Sequence, residues 1–248
     1  MRVQGRKIKY GKEDMYRIFD SKVIFLAIAW LSLGFVFLYD LVDGLLEAVD
    51  ATGVHLRWTA IPMVAWVFVN LLAAKPVWRF LWRRFPVLEK WIYPDLNGAW
   101  DVKLESNWSR QEQLFLAAKG ETPSFDIKHC DPAELEDLLV VNLKAEIEQS
   151  WWKIELKLWN PQGDTPIKSS ETIDARPIRA KGFAPAQLCY FFDQQNDTDN
   201  IADDVRFAGA ACLKYDSSSR SLEGSFWTSR VWPRALNTAG KLHFSRSV

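Results

Sequence analysis

The sequence predicts a membrane α-helical hairpin joined to an all-β domain: two transmembrane helices followed by a cytoplasmic, roughly eight-stranded antiparallel β-barrel. Three observations predict it. Two apolar runs, Val23 to Tyr39 and Trp58 to Leu72, lie close together near the start of the chain. Basic residues flank the pair and acids fill the loop between them. From Gly98 onward the apolar period changes from helical to two, the mark of strands with one buried and one wet face.

The first run, VIFLAIAWLSLGFVFLY, has no charge, and only Ser32 and Gly34 interrupt it. Its 17 residues cover roughly 26 Å as a helix, slightly short of a hydrocarbon core of about 30 Å. The second run carries Pro62 and Asn70; Pro62 falls near the first turn, where a missing N–H matters least. Spans over about 23–42 and 58–74 are expected, each marginal alone and supported by packing on the other. Both runs are apolar all round, which argues against buried helices of a soluble protein. No small-x-small site follows the first, which argues against a cleaved signal peptide.

Charge sets the expected orientation. Residues 1–22 hold seven Lys/Arg against three acids, and loop 40–57 holds Asp40, Asp43, Glu47 and Asp50 against Arg57. Lys75, Arg79, Arg83, Arg84 and Lys90 follow the second run against Glu89. The basic flanks place both termini inside, and the formal net charge of zero hides this segregation. Residues 75–92 interleave Trp78, Phe80, Trp82 and Trp91 with arginines, as suits a lipid boundary or a helix leaving it near Pro76 and Pro86. Two regions follow: 1–92 as the membrane region and 93–248 as a ligand-sensing barrel. Cys130, Cys189 and Cys212 form no CxxC pair and no disulfide framework, and read as small buried apolar residues of a reduced compartment.

Strands are expected near 98–108, 112–118, 138–159, 167–179, 186–193, 206–215, 220–228 and 238–246. Trp100, Val102 and Leu104 alternate with Asp101, Lys103 and Glu105. The sets Val141 to Glu148 and Lys153 to Leu158 differ in parity, and Gln149-Ser150-Trp151-Trp152 between them holds no turn residue, so one long bulged strand is expected. The stretch 112–118 also fits a helix. Turn signals stand at Asn160 to Asp164, Lys181-Gly182, Asp193 to Asp204, Asp216 to Ser219 and Pro233, and Asp131-Pro132-Ala133-Glu134 reads as a helix start. Short antiparallel connections favour a closed up-and-down barrel, with a two-sheet sandwich as the other architecture.

No catalytic set is visible, so no enzyme is expected. His55, His129 and His243 stand apart, no glycine-rich loop opens a helix, and no metal-ligand spacing occurs. No metal and no cofactor is therefore expected. The informative feature is polar or aromatic residues at inward parity: Ser106 and Trp108 with Trp100, Tyr190 with Leu188 and Phe192, and Thr228 and Arg230 with Leu222 and Phe226. Gly209 and Ala211 are small where a filled core wants bulk. Trp100, Ser106, Trp108, Tyr190, Thr228 and Arg230 are the candidate ligand-binding residues. Rings stack on bases and a guanidinium forks onto phosphate. The alternative places Ser106, Thr228 and Arg230 at wet strand ends and the tryptophans in an ordinary core.

The pieces Leu96-Asn97-Gly98-Ala99-Trp100, Ile147-Glu148-Gln149-Ser150-Trp151, Leu222 to Arg230 (LEGSFWTSR) and Ala239 to Arg246 (AGKLHFSR) occur in this order behind the two apolar runs. In this the chain resembles the two-transmembrane, β-strand-rich effectors of CBASS, bacterial anti-phage systems that signal with cyclic oligonucleotides. The resemblance implies a barrel that binds a cyclic di- or trinucleotide made by a CD-NTase-type nucleotidyltransferase partner. It implies homo-oligomerisation on activation, contact with membrane lipid, and inner-membrane disruption with cell death. It also implies a multi-pass protein of the bacterial inner membrane, with termini and barrel cytoplasmic. No DNA or RNA polymer is expected as a partner. The chain departs from the family pattern in its long stretch 109–136 and in lacking a histidine before Gly209. A membrane-tethered lipid- or metabolite-binding barrel, or a protein-docking module, each without killing activity, are the other readings.

Overall fold

The computed structural model describes residues 21–48, 67–68, 70–71, 74–151, 153–201 and 203–247. The chain divides into two compact units, one with its described residues within 21–86 and one with them within 87–247.

The helical unit corrects the expected fold class. Helix α1 spans Ser21–Ala48, yet no helix among the described residues is long and apolar enough to cross a membrane. The physical reason lies in the length of the uncharged stretch. It ends at Tyr39 and the helix runs on through Asp40, Asp43 and Glu47. Seventeen uncharged residues cover roughly 26 Å where about 30 Å is needed. Residues 43–48, expected in the loop after the first span, are helical. The second expected span lies mostly outside the described residues; Val67, Phe68, Asn70 and Leu71 are helical. Phe68 meets Phe35 of α1 edge-on at 5.6 Å. Helix α2, Lys75–Arg84, carries Pro76 in its first turn and stacks Trp78 on Trp82 at 4.8 Å. It stops before Pro86, whose ring disfavours helix at the preceding residue.

The second unit opens with a short helix, α3, Val87–Trp91. Eight strands follow: β1 Gly98–Ser106, β2 Leu139–Gln149, β3 Ile154–Trp159, β4 Ile167–Ile178, β5 Gln187–Asn196, β6 Arg206–Asp216, β7 Ser221–Thr228 and β8 Ala239–Arg246. Each pairs antiparallel with the next, and β1 pairs β8 through Trp100↔Arg246 to Ser106↔Gly240, which closes the barrel and excludes the sandwich. Alternation does the sorting. Trp100, Val102, Leu104, Leu143, Ala145, Ile147, Leu188, Leu213 and Phe244 are buried, while their sequence neighbours are more exposed.

Three expectations about elements change. The stretch 112–118 is not a strand but part of helix α4, Trp108–Ala118, with no β-branched residue to favour extension. The single strand expected over 138–159 is a hairpin, β2 and β3, paired Gln149↔Ile154. Ser150 makes its turn: the backbone N–H donates to Lys153 O at 2.8 Å and the hydroxyl accepts from Lys153 N at 3.1 Å. The parity change is thus a chain reversal rather than a bulge. Finally, Cys189 and Cys212 stand opposite each other on β5 and β6 and form a disulfide, in place of two separate apolar side chains. Sequence spacing of 23 residues carried no sign of it. Register alone brings the two together.

The end where the chain enters is firmly tied. Gln149 is fully buried, its Oε1 accepting from Leu96 N at 2.7 Å and its Nε2 donating to Pro94 O at 3.1 Å. Its own N–H donates to Asn97 Oδ1 at 2.8 Å. Gln149→Leu keeps the volume but strands the Leu96 donor and the Pro94 acceptor. Each buried orphan costs about 1–3 kcal/mol, so a fall of that order in unfolding free energy by urea titration is expected. An unchanged midpoint would count against this tie.

Candidate ligand-binding site at the barrel mouth

The registers give the barrel two ends. Gly98, Gln149 and Arg246 share one; Ser106, Leu139, Ile167, Asn196, Thr228 and Gly240 share the other. At this second end inward-facing polar side chains surround a cavity of about 410 Å³, enough for a small ligand. Its deeper floor is apolar, with Leu104, Val141, Phe207 and Phe226.

Four of the six candidate residues line this mouth: Ser106, Trp108, Thr228 and Arg230. Trp108 arrives as the first residue of α4 rather than as the end of β1. Its backbone N–H donates to Ser106 Oγ at 3.3 Å, and its ring lies under the Arg230 guanidinium at 4.5 Å. Arg230 Nε donates to Asp203 Oδ1 at 2.6 Å. Its two Nη amines make no hydrogen bond among the described residues, which leaves donors for a ligand beside an aromatic face. Thr228 serves the loop instead: its hydroxyl pairs with Thr238 Oγ1 at 2.9 Å and accepts from Thr238 N at 3.1 Å.

The other two lie elsewhere. Trp100 is fully buried at the entry end, donating from Nε1 to Leu96 O at 3.0 Å under the Arg246 guanidinium at 4.1 Å. Tyr190 is buried deeper on β5, tilted against Phe192 at 5.9 Å, and burial pushes its hydroxyl pKa up. The small Gly209 has a packing cause: a Cβ there would come within 2.3 Å of Phe192 Cζ, so the ring already fills that space.

Sequence reasoning missed one wall, made of Gln194, Asn196, Thr198 and Asn200 with Asp164 and Asp203. The signal was present. The inward parity Leu188, Tyr190, Phe192 continues to Gln194 and Asn196, and ending β5 at residue 193 cut it off. Gln194 Nε2 donates to Asn196 Oδ1 at 3.0 Å, leaving one amide oxygen and one amide nitrogen side by side at the cavity.

A larger open groove of about 1030 Å³ runs over the outside of β1, β6, β7 and β8. Lys103, Glu105, Lys214, Glu223, Lys241 and His243 line it, the charges already interleaved, with Lys103 on Glu105 at 2.7 Å and His243 on Glu223 at 2.8 Å. Convergent inward polar groups are found at the mouth and not in this groove.

The fold is a closed β-barrel whose mouth gathers Trp108, Arg230 and inward polar side chains around one cavity. No protein-family profile matches the chain. It is 28% identical over 245 residues to CD-NTase-associated protein 15 of Escherichia albertii, an alignment that covers 98% of this chain and 95% of that one.

Proposed function

We propose that this protein is a non-enzymatic CBASS effector of anti-phage defence. Its barrel mouth binds a cyclic oligonucleotide made by a CD-NTase-type nucleotidyltransferase. Binding drives self-association and a membrane-disrupting response at the bacterial inner membrane. The observation that carries this reading is the end-to-end similarity to a protein named for its association with a CD-NTase. The Trp108–Arg230 stack supports the ligand class, since a ring offers a base its face and the guanidinium amines suit a phosphate. Leu26, Trp30, Leu33, Phe37 and Leu41 of α1 are exposed, an apolar surface suited to lipid.

The cell-level test is expression with a panel of cyclic di- and trinucleotides. Dye entry is expected only with both the cognate nucleotide and residues 1–86 present. Killing by a chain that lacks those residues would contradict the mechanism. At the site, Arg230→Ala removes a charge-assisted contact of about 1.5–3 kcal/mol. A roughly ten- to hundredfold loss of nucleotide affinity by calorimetry is therefore expected.

The charge at the mouth favours a second reading. Asp164 and Asp203 line the cavity together with Arg230, a charge balance that suits a neutral polar metabolite in a barrel with no killing role. Co-purification of such a compound, with membrane potential unaffected, would favour it.

A further inference from the structure

The carboxylate that holds Arg230 comes from the connection between β5 and β6. Asp203 and Arg230 meet almost out of water, their side chains 6% and 17% exposed. One residue further on, Asp204 Oδ2 accepts from the Val231 backbone N–H at 2.7 Å. Two consecutive acids thus tie this connection to the segment after β7. That segment carries strain: Val231, a β-branched residue, sits in the left-handed region at φ 41. The connection also carries the exposed apolar side chains Ile201 and Val205.

A carboxylate and a phosphate ask the same of a guanidinium, namely donors aimed at oxygen. A nucleotide phosphate on the Nη amines of Arg230 therefore meets the Asp203 carboxylate on Nε as a like charge beside it, and one that forks onto Nε meets it as a rival. Resting on the reading of the mouth as a cyclic-nucleotide site, we propose that Asp203 is an internal phosphate surrogate, displaced from Arg230 when nucleotide binds. The exchange releases one of the two ties on the β5–β6 connection and leaves the Asp204–Val231 bond as the other. Arg230 keeps a partner throughout, because the Trp108 ring lies 4.5 Å from its guanidinium. Asp203 regains water, where an unpaired carboxylate carries no desolvation cost. The site's affinity is therefore set below what Arg230 and Trp108 alone provide, and ligand occupancy is written into the freedom of a surface loop.

The test uses the full chain in detergent with cyclic di-AMP, cyclic di-GMP, cyclic AMP–GMP and cyclic triadenylate as probes. Asp203→Asn keeps the side-chain shape and removes its charge. Tenfold or tighter binding of the cognate probe is expected by calorimetry, with the gain abolished in Asp203→Asn/Arg230→Gln. Equal or weaker binding by an Asp203→Asn protein with unaltered thermal unfolding overturns the proposal. Hydrogen exchange on the unsubstituted protein covers the case in which the variant does not fold. Saturating probe should speed exchange across 197–205, and slowed or unchanged exchange overturns the displacement. Should neither the unsubstituted protein nor Asp203→Asn bind any probe, the nucleotide reading itself fails and the surrogate with it. Binding to the unsubstituted protein without a gain in Asp203→Asn removes the surrogate alone.

Discussion

Trp100→Ala is expected to lower the unfolding free energy by about 3–5 kcal/mol, the range for removing a buried aromatic ring. Three attachments fail at once. The ring is fully buried and meets Phe244 edge-on at 6.3 Å. Its Nε1 ties β1 back to Leu96 O. Its face carries Arg246, which donates through its Nη atoms to the carbonyls of Asn97 and Asp95. Cutting the ring to a methyl group thus loosens the whole entry of the chain into the barrel, at the end away from the mouth. Chemical denaturation should show the loss. Any fall in ligand affinity should track the folded fraction. A stable Trp100→Ala protein with specifically impaired binding would relocate the site.

Gly240→Ala is expected to cost about 3 kcal/mol, at the upper end for overpacking. A Cβ on residue 240 would lie 1.8 Å from Glu105 O and 2.9 Å from Phe226 Cε1. The first contact is backbone, which no rotamer change relieves. β8 must move off β1 where the two close the barrel, opposite Ser106 at the mouth. Gly34 in α1 supplies the control, since a Cβ there meets nothing within 4 Å. Gly34→Ala should be neutral or slightly stabilising, as alanine is in a helix interior. Equal effects of the two substitutions on the melting temperature would contradict the close approach of β8 and β1.

The strands were legible where period two was clean, as in Trp100 to Leu104, because one face packs and the other meets water. The β2–β3 hairpin was not, since Ser150 turns the chain with a hydroxyl and a backbone N–H rather than with Gly or Pro. Trp108 and Arg230 were each legible as site candidates, for a partly mistaken reason. Parity carried both past the ends of their strands, whereas a helix start and a strained loop deliver them. Asp203 was not legible, for it stands 27 positions from Arg230 in a stretch without periodicity, and the β6–β7 register brings the two together. The apolar run Val23 to Tyr39 was seen correctly as a helix. The helix runs on to Ala48 through acids that had been assigned to a loop.

Photocrosslinking would show where on the barrel a cyclic nucleotide sits. The full-length protein would be labelled with azido-adenine cyclic nucleotides, and the modified peptides mapped by mass spectrometry. Labels on the Trp108 helix or on the Gln194 to Asn200 wall, competed away by the unlabelled nucleotide, are the predicted result. Labels confined to the outer groove around Lys103, Lys241 and His243, or no competable label at all, would contradict a nucleotide site in the barrel mouth.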